Sequence, residues 1–294
     1  MASSYGRRGG HDRKDGRLLH TVGTFGKLLP HIARSRCEAT GMYDDSFDVS
    51  NAERWLRAQN PQEFKGMGHL HLFIAAYIRA VAANPEINRF VAGRRIYARD
   101  GIEVAIPIRR DHDAYGEDSV IKVSLEASDT VYDVYRKISS AMAKEENSVN
   151  GNASRHFAKK LAKAGKFLRG IYMLIARILD YFGFLPQRIM NASPFHGSVM
   201  VHDMSDMAMG PVAHQLYNVG TLPVIMSLGS RRTAYEFDGK DSVVVRRYVD
   251  VKFSVDTRIT DSEGFASAFK TMKKNIENPG LLELPPQKFI DDIR

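Results

Sequence analysis

The sequence predicts an α/β protein, because segments with apolar residues at helical spacing alternate with segments in which every second residue is apolar. The chain has 294 residues, of which 44% are hydrophobic and 26% charged. These fractions are typical of soluble globular proteins, so the composition excludes wholesale disorder, collagen-like repeats and coiled-coil fibres. No internal repeat and no long linker divides the chain, which favours one large domain.

The N-terminal half contains two helices and two strands with clear patterns. Apolar residues over 70–81 recur at helical spacing and stop before Asn84-Pro85, since proline disfavours helix in the residue before it. Alternating apolar residues then predict strands at 102–108 and 121–125. A second helix is predicted over 130–144.

A long basic amphipathic helix is predicted at about 155–183. Between 155 and 190, eight basic residues face one acid, Asp180, so this segment carries +7 of the net charge of +8. Gly165 and Gly170 each cost about 1 kcal/mol relative to alanine in a helix interior, so packing has to stabilise it. Three roles stay open for this helix: a surface helix of a soluble oligomer, a membrane-surface helix, and a nucleic-acid site, although no nucleic-acid-binding motif accompanies it.

The C-terminal half returns to strands. An Asp-Gly dipeptide supplies the positive φ that a tight hairpin turn needs, and apolar alternation on both sides of it predicts a β-hairpin. Asp261 or Ser262 is a candidate N-cap for a last helix. The predicted elements are strands at 198–201, 224–228, 233–237, 242–245 and 253–255, and a helix at 263–276.

Composition and motifs exclude several kinds of site. No glycine-rich nucleotide loop, serine-hydrolase elbow or zinc-protease motif occurs. Cys37 is the single cysteine, which excludes an internal disulfide and fits a reducing compartment, so we expect a cytoplasmic protein. The pairs His69/His71 and His196/His202 lack further ligands at fitting spacing, and no metal site is expected.

Four blocks of sequence carry a resemblance to a known family. They are 84–88, 101–107, 193–201 and the C-terminal block from Val255 through Asp261 to Pro279. Together they resemble the catalytic domain of the dihydrolipoyl acyltransferases of 2-oxo acid dehydrogenase complexes, whose fold is that of chloramphenicol acetyltransferase. The resemblance implies a two-layer sandwich of a mixed β-sheet and helices. It covers 29–284, and we expect 1–28 to be a flexible basic tail and 285–294 a C-terminal extension.

Membership would imply acyl transfer between a thioester, such as acyl-lipoyl, and coenzyme A. In that family a histidine in an HxxxDG motif takes the thiol proton, and a Ser or Thr hydroxyl of the adjacent subunit stabilises the oxyanion. Here Thr257 stands at the position of the histidine, Asp261 matches the aspartate, and Ser262 replaces the glycine. A threonine hydroxyl does not ionise near neutral pH and cannot serve as the base. Two alternatives therefore stay open: an acyltransferase, or a catalytically inactive structural or regulatory oligomer that kept the fold.

Two further residues and several partners follow from the resemblance. His202 lies near the strand position at which the family has its oxyanion-stabilising serine, which makes His202 a candidate for a relocated base. Ser198, near the start of the same strand, is a candidate for the hydroxyl that stabilises the oxyanion. We expect a homotrimer, coenzyme A or acyl-CoA as substrate, and an acyl carrier that acts in trans, because no lipoyl domain fits before residue 29. The apolar segment 281–284 resembles the family segment that joins trimers, so a larger assembly is a further possibility.

Overall fold

The computed structural model describes residues 10–59, 62–109, 118–146, 161, 163–237, 239 and 242–292. Nine strands and seven α-helices occur within these ranges. The strands are β1 (Gly16–Leu18), β2 (Thr40–Asp48), β3 (Arg89–Ala92), β4 (Arg95–Arg99), β5 (Ile102–Arg109), β6 (Asp118–Leu125), β7 (Val199–Asp203), β8 (Val224–Phe237) and β9 (Val243–Asp256). The helices are α1 (Thr24–Ile32), α2 (Ser50–Ala58), α3 (His69–Ala83), α4 (Val131–Glu146), α5 (Lys166–Tyr181), α6 (Gln187–Ala192) and α7 (Ser262–Glu277).

A six-stranded mixed sheet forms the centre of the molecule, with strand order β2-β9-β8-β7-β5-β6. Strands β5, β7 and β8 run parallel to each other, and the remaining pairs are antiparallel. A second sheet of three short strands has the order β1-β4-β3. The mixed sheet packed against helices confirms the predicted α/β class.

The helices α2, α3, α4 and α7 cover one face of the large sheet. Alternate strand residues such as Val104, Val201 and Phe253 point into this layer and are at most 1% exposed. Helix α3 lies at its centre, with twelve buried residues. The intervening strand residues point to the opposite face, where Met200 and Ile225 pack with Leu216 from the segment that connects β7 and β8. This second face carries the candidate site.

The predicted helices and strands outside 155–183 are confirmed, and some of them are longer than predicted. The strands expected at 224–228 and 233–237 are one strand, β8, which a register shift between Leu228 and Arg231 bends. The strands expected at 242–245 and 253–255 likewise form β9. The two pair as the expected hairpin, with Phe237 opposite Val243. Beyond the neighbouring strands the hairpin projects as a two-stranded arm, in which Tyr235 and Val245 are exposed.

The single helix predicted at 155–183 is not confirmed. Helix α5 begins at Lys166 with Gly165 as its N-cap, where the ψ of 154° is not helical. A glycine is unfavourable inside a helix and favourable at an N-cap. One helical segment therefore ends before Gly165, and a second begins after it. Residues 147–160 and 162 lie outside the described part, so the first half of the predicted helix is not described.

The N-terminal segment also differs from its prediction as a flexible tail over 1–28. Within the described residues, Gly16–Leu18 form β1 and pair with β4. Arg13 is 5% exposed and forms ion pairs with Asp15 at 2.9 Å and with Asp180 of α5 at 2.7 Å. Strand pairing and buried charge therefore fix this segment to the domain. No helix in the described part of the chain is long and apolar enough to cross a membrane.

Candidate functional site

Thr257 lies directly after β9, where the chain turns towards α7. Its backbone amide and its hydroxyl both donate to the carbonyl oxygen of Ala39, at 3.0 and 2.8 Å. Its methyl group contacts Gly41, at which an added Cβ would lie 2.6 Å from the Thr257 Cγ2. The side chain is therefore held against β2, and the hydroxyl donates its proton within the protein.

The residues on both sides of Thr257 form a buried ion pair. The Arg258 guanidinium donates to both carboxylate oxygens of Asp256, at 2.7 and 2.6 Å, and to the carbonyl of Ala33 at 3.1 Å. Both side chains are at most 4% exposed. A bidentate pair of this kind fixes the backbone on both sides of Thr257.

Asp261 and Ser198 occupy structural positions in the single chain. The Asp261 carboxylate accepts from the amide of Gly264 at 2.9 Å, so it is the N-cap of α7 that the sequence also suggested. Ser198 is fully buried, and its hydroxyl accepts from the amide of Glu103 at 3.0 Å. The Ser198 amide donates to the Glu103 carbonyl at 2.7 Å, which joins β5 to the start of β7.

His202 stacks on a second histidine that the sequence did not indicate, His214. The ring centroids are 4.4 Å apart and the ring planes differ by 24°. His202 lies on β7 opposite Ser227, on the sheet face away from the helices. His214 follows Val212, whose amide donates to the Ser227 hydroxyl at 3.0 Å and so holds the connecting segment over the strand.

Both imidazoles have an unused nitrogen. Within the described residues, the Nε2 atoms of His202 and His214 are buried and have no hydrogen-bond partner. Burial, and to a smaller extent the neighbouring His214, lowers the pKa of His202 to about 4. Burial also lowers the pKa of His214. Both rings are therefore neutral at pH 7, and each can accept one proton.

The structure does not bring His202 and Thr257 together within one chain. Val224 of β8 lies opposite both Val199 and Val255, so Thr257, two residues past Val255, lies beyond Val199 on the side away from His202. His202 is three residues past Val199 in the other direction and two strands away, which separates the two residues by roughly 16 Å along the strands and roughly 10 Å across them.

A second group of buried polar side chains surrounds Asp180 at the C-terminal end of α5. Besides the ion pair with Arg13, the Asp180 carboxylate lies 3.5 Å from the Nε2 atom of His196. Burial alone would raise the pKa of Asp180, but His196 and Arg13 together lower it below its usual range. Arg13 is remote from Asp180 in sequence and belongs to the segment predicted as a tail, so sequence patterns could not identify this group.

A metal site is not formed by the described residues. Among them, no group of three or more His, Cys, Asp or Glu side chains is arranged to hold a metal ion. Cys37 is partly buried, and its Sγ lies 2.8 Å from the Gln215 Oε1.

Comparisons with known proteins identify the fold. No protein-family model matches the sequence, and no curated protein matches it significantly. Solved structures do match over most of the chain. The probable dihydrolipoamide acetyltransferase of Listeria monocytogenes 4b F2365 is 17% identical, with a TM-score of 0.55 over 88% of this chain and 94% of that chain.

Two further structures show the same likeness. The cubic core of a pyruvate dehydrogenase multienzyme complex is 12% identical, with a TM-score of 0.53 over 96% of both chains. A chloramphenicol acetyltransferase is 11% identical, with a TM-score of 0.56 over 89% of this chain and 99% of that chain. The likeness confirms the chloramphenicol acetyltransferase-like fold predicted from the sequence. At these identities it shows the fold alone.

Proposed function

We propose that this protein transfers an acyl group between a thioester and coenzyme A, and that His202, supported by His214, is the base. The observation that carries the proposal is the stacked pair of neutral, half-buried imidazoles whose Nε2 atoms are buried and unpartnered among the described residues. A buried polar atom without a partner is uncommon in a folded protein and is typical of a site that receives a ligand. The likeness to acyltransferase structures supplies the reaction class as a hypothesis.

The proposed reaction uses His202 as a general base. Its neutral imidazole accepts the thiol proton of coenzyme A, and the sulfur forms a bond to the thioester carbonyl carbon. The bond to the leaving sulfur then breaks, and the imidazolium returns the proton to the leaving thiolate. Stacking on His214 holds the ring of His202 in one orientation. His214 also makes the protonated form of His202 less stable, which promotes return of the proton to the leaving thiolate.

The pKa of His202 sets the expected rate and its pH dependence. A base with a pKa of about 4 is a weak acceptor for the proton of a thiol, whose pKa is about 8.5. We therefore expect slow turnover. We also expect the rate to be flat between about pH 5 and 7, because His202 is already unprotonated there. A base with an ordinary histidine pKa would instead lose activity below about pH 6.5.

We further propose a homotrimer, because the acyltransferase-like fold implies a channel between subunits and Thr257 and His202 lie apart within one chain. The neighbour described as a cubic core is part of a multienzyme complex, which is consistent with an assembly of more than one chain. Coenzyme A or acyl-CoA and an acyl carrier supplied in trans are the proposed substrates. A cytoplasmic location stays the expectation from cysteine usage.

A second candidate function is a catalytically inactive structural or regulatory oligomer. The observation that favours it is the Thr257 hydroxyl, which replaces the family base and donates to the Ala39 carbonyl. In this case the fold and the subunit contacts would persist without the reaction.

Acetyl transfer from acetyl-CoA to dihydrolipoamide, followed with the purified protein, tests both candidates. We expect His202→Phe to lower kcat by at least about 100-fold, because it keeps an aromatic ring in the stack and removes the base. His20→Phe, a substitution of an exposed histidine, is the matched control and should retain full activity.

The outcomes separate the two functions. Activity that His202→Phe leaves unchanged would show that His202 is not the base. No transfer with acetyl-CoA or longer acyl-CoA substrates, together with no rise in melting temperature at millimolar coenzyme A, would favour the inactive oligomer. Sedimentation equilibrium would then show whether a trimer forms without ligand.

A further inference from the structure

A cavity of about 630 Å³ lies beside α5, away from the two histidines of the proposed reaction. This volume is within the range of small-molecule binding sites. Helix α5 forms one wall, and the turn before β2, strand β3 and the loop after α6 form the others. The apolar part of the lining includes Val91, Met173, Ala176, Leu185, Ile189 and Phe195.

The charged residues that line this cavity are predominantly positive. Asp180 is the single carboxylate among the described lining residues, and it is paired with Arg13. Five arginines line the same space, of which Arg258 is paired with Asp256. These arginines are Arg34, Arg36, Arg94, Arg177 and Arg258.

Arg36 is a buried cation without a carboxylate partner in the described structure. It is 9% exposed, and one of its terminal nitrogens donates to the carbonyl of Val91 at 3.0 Å. Its Nε is buried without a hydrogen-bond partner among the described residues. Burial lowers the pKa of Arg36 to about 10, although the more distant carboxylates of Asp256 and Asp180 act in the opposite direction, so the guanidinium is still charged at neutral pH. A buried charge of this kind is unfavourable unless a counter-charge reaches it.

His196 provides a second buried polar group on the same cavity. It is 4% exposed, and neither ring nitrogen has a hydrogen-bond partner among the described residues, although Nε2 lies 3.5 Å from Asp180. An apolar cavity with a buried guanidinium and a buried imidazole is complementary to a molecule with an apolar chain and a negative end.

We infer that this cavity binds a carboxylate with an apolar chain, of the size of a medium-chain fatty acid, with its carboxylate on Arg36 and its chain along α5. A planar carboxylate matches the fork of a guanidinium and supplies the directly bound carboxylate that Arg36 lacks among the described residues. The exposed Arg34, Arg94 and Arg177 add positive charge that favours the approach of an anion. This inference does not depend on acyl transfer, since none of these residues belongs to the proposed reaction.

Isothermal titration of the purified full-length protein with sodium decanoate tests the inference, with 1-decanol as the uncharged probe of the same length. We expect decanoate to bind at least tenfold more tightly than decanol. Arg36→Gln should weaken decanoate binding at least tenfold and leave decanol binding unchanged. Arg54→Gln, which removes an exposed arginine outside the cavity, should change neither.

A second variant keeps the test decisive if Arg36→Gln does not fold. Ala176→Phe fills the cavity from α5 and should weaken binding of both decanoate and decanol at least tenfold. Leu174→Phe, on the same helix and outside the lining, should weaken neither. The inference would be overturned by equal affinity for decanoate and decanol, by unchanged decanoate binding in Ala176→Phe, or by no binding of octanoate, decanoate or dodecanoate. Decyl phosphate that binds tenfold more tightly than decanoate would overturn the choice of a carboxylate.

Discussion

Helices α3 and α5 are similar in length and rich in apolar residues, but their surroundings are opposite. Twelve residues of α3 are buried, whereas α5 has none. Phe73 of α3 is fully buried between the sheet and its neighbours, and Phe167 of α5 is 81% exposed. Apolar content alone therefore does not determine burial. An α-helix becomes buried only where the fold places a second apolar surface against it.

The two helices are also held in place by different forces. Helix α3 packs along its length on α4, α7 and the sheet. Helix α5 is fixed mainly at its C-terminal end, where Arg13 binds the Asp180 carboxylate. Nearby, Gly93 approaches the Tyr181 carbonyl so closely that an added Cβ would lie 2.6 Å from it. The apolar side chains along α5 form an exposed surface of a kind that monomeric proteins rarely carry, and this favours a contact with another molecule.

The largest expected effect tests the packing of α3. We expect Phe73→Ala to lower the free energy of unfolding by about 3–5 kcal/mol, because it removes a fully buried ring and leaves a cavity. The same substitution in α5, Phe167→Ala, is the matched control and should change the free energy by less than about 0.5 kcal/mol. Urea denaturation measures both. Equal losses in the two variants would refute the contrast between the helices.

The next effect tests the polar attachment of α5. We expect Asp180→Ala to destabilise the protein by about 3 kcal/mol, because it removes one of the two carboxylates paired with the buried Arg13 and the carboxylate beside the buried His196. Asp133→Ala, which breaks an exposed pair with Arg136, should cost less than about 1 kcal/mol. Limited proteolysis should show faster cleavage at α5 in the first variant. Unchanged cleavage would mean that other contacts hold the helix.

The third expected effect concerns the response of helix α3 to acid. Burial lowers the pKa of His71, in the first turn of α3, to about 4, although the charge of Asp203 acts in the opposite direction. The Nδ1 atom of His71 accepts from the Gly68 amide. The unfolded chain binds a proton near pH 6.5, before the folded chain does, so stability falls as the pH drops from about 6.5 to 4.

The loss that His71 contributes over this window is at most about 3 kcal/mol. We expect His71→Gln to flatten the decline of melting temperature with acid. His20→Gln, at an exposed site, should leave the decline unchanged. A decline of equal slope in both variants would assign the acid sensitivity to His69, His202 and His214, whose pKa values are also lowered.

The smallest expected effect on stability concerns the exposed face of α5. Leu174 is 59% exposed, so Leu174→Ser should change the free energy of unfolding by less than about 0.5 kcal/mol. If this face contacts another copy of the chain, the same variant should weaken self-association at least tenfold in analytical ultracentrifugation. Unchanged association would exclude Leu174 from the subunit contact.

The sequence predicted the elements that have a strong local pattern. Helix α3, strands β5 and β6, the β8–β9 hairpin and the Asp261 cap all follow from residue spacing or turn chemistry, and the structure confirms them. Strands β1 to β4 were not predicted. Strands β1, β3 and β4 are only three to five residues long, and β2 is rich in polar residues that do not alternate regularly with apolar ones. The long basic helix was predicted as one element because periodicity alone does not show where a glycine acts as a cap.

The candidate site was less accessible to sequence analysis. His202 was identified because it lies near a recognisable block, but His214 lies in an irregular segment whose position over β7 depends on the contact between Val212 and Ser227. Arg36 and His196 are 160 residues apart, and only the folded chain brings them to one cavity. The motif position Thr257 was predicted directly, whereas its hydrogen bond to Ala39 required the packing of β2 on β9.

The hairpin of β8 and β9 passes through two environments along one continuous ladder of hydrogen bonds. Near Met226 and Phe253 the ladder is flanked by β7 and β2 and covered by helices. Near Tyr235 and Val245 the same two strands pair only with each other and meet solvent. A two-stranded ribbon is only marginally stable by itself. Amide hydrogens of the arm should therefore exchange with deuterium through local fraying, while those near Met226 exchange only when the whole domain opens.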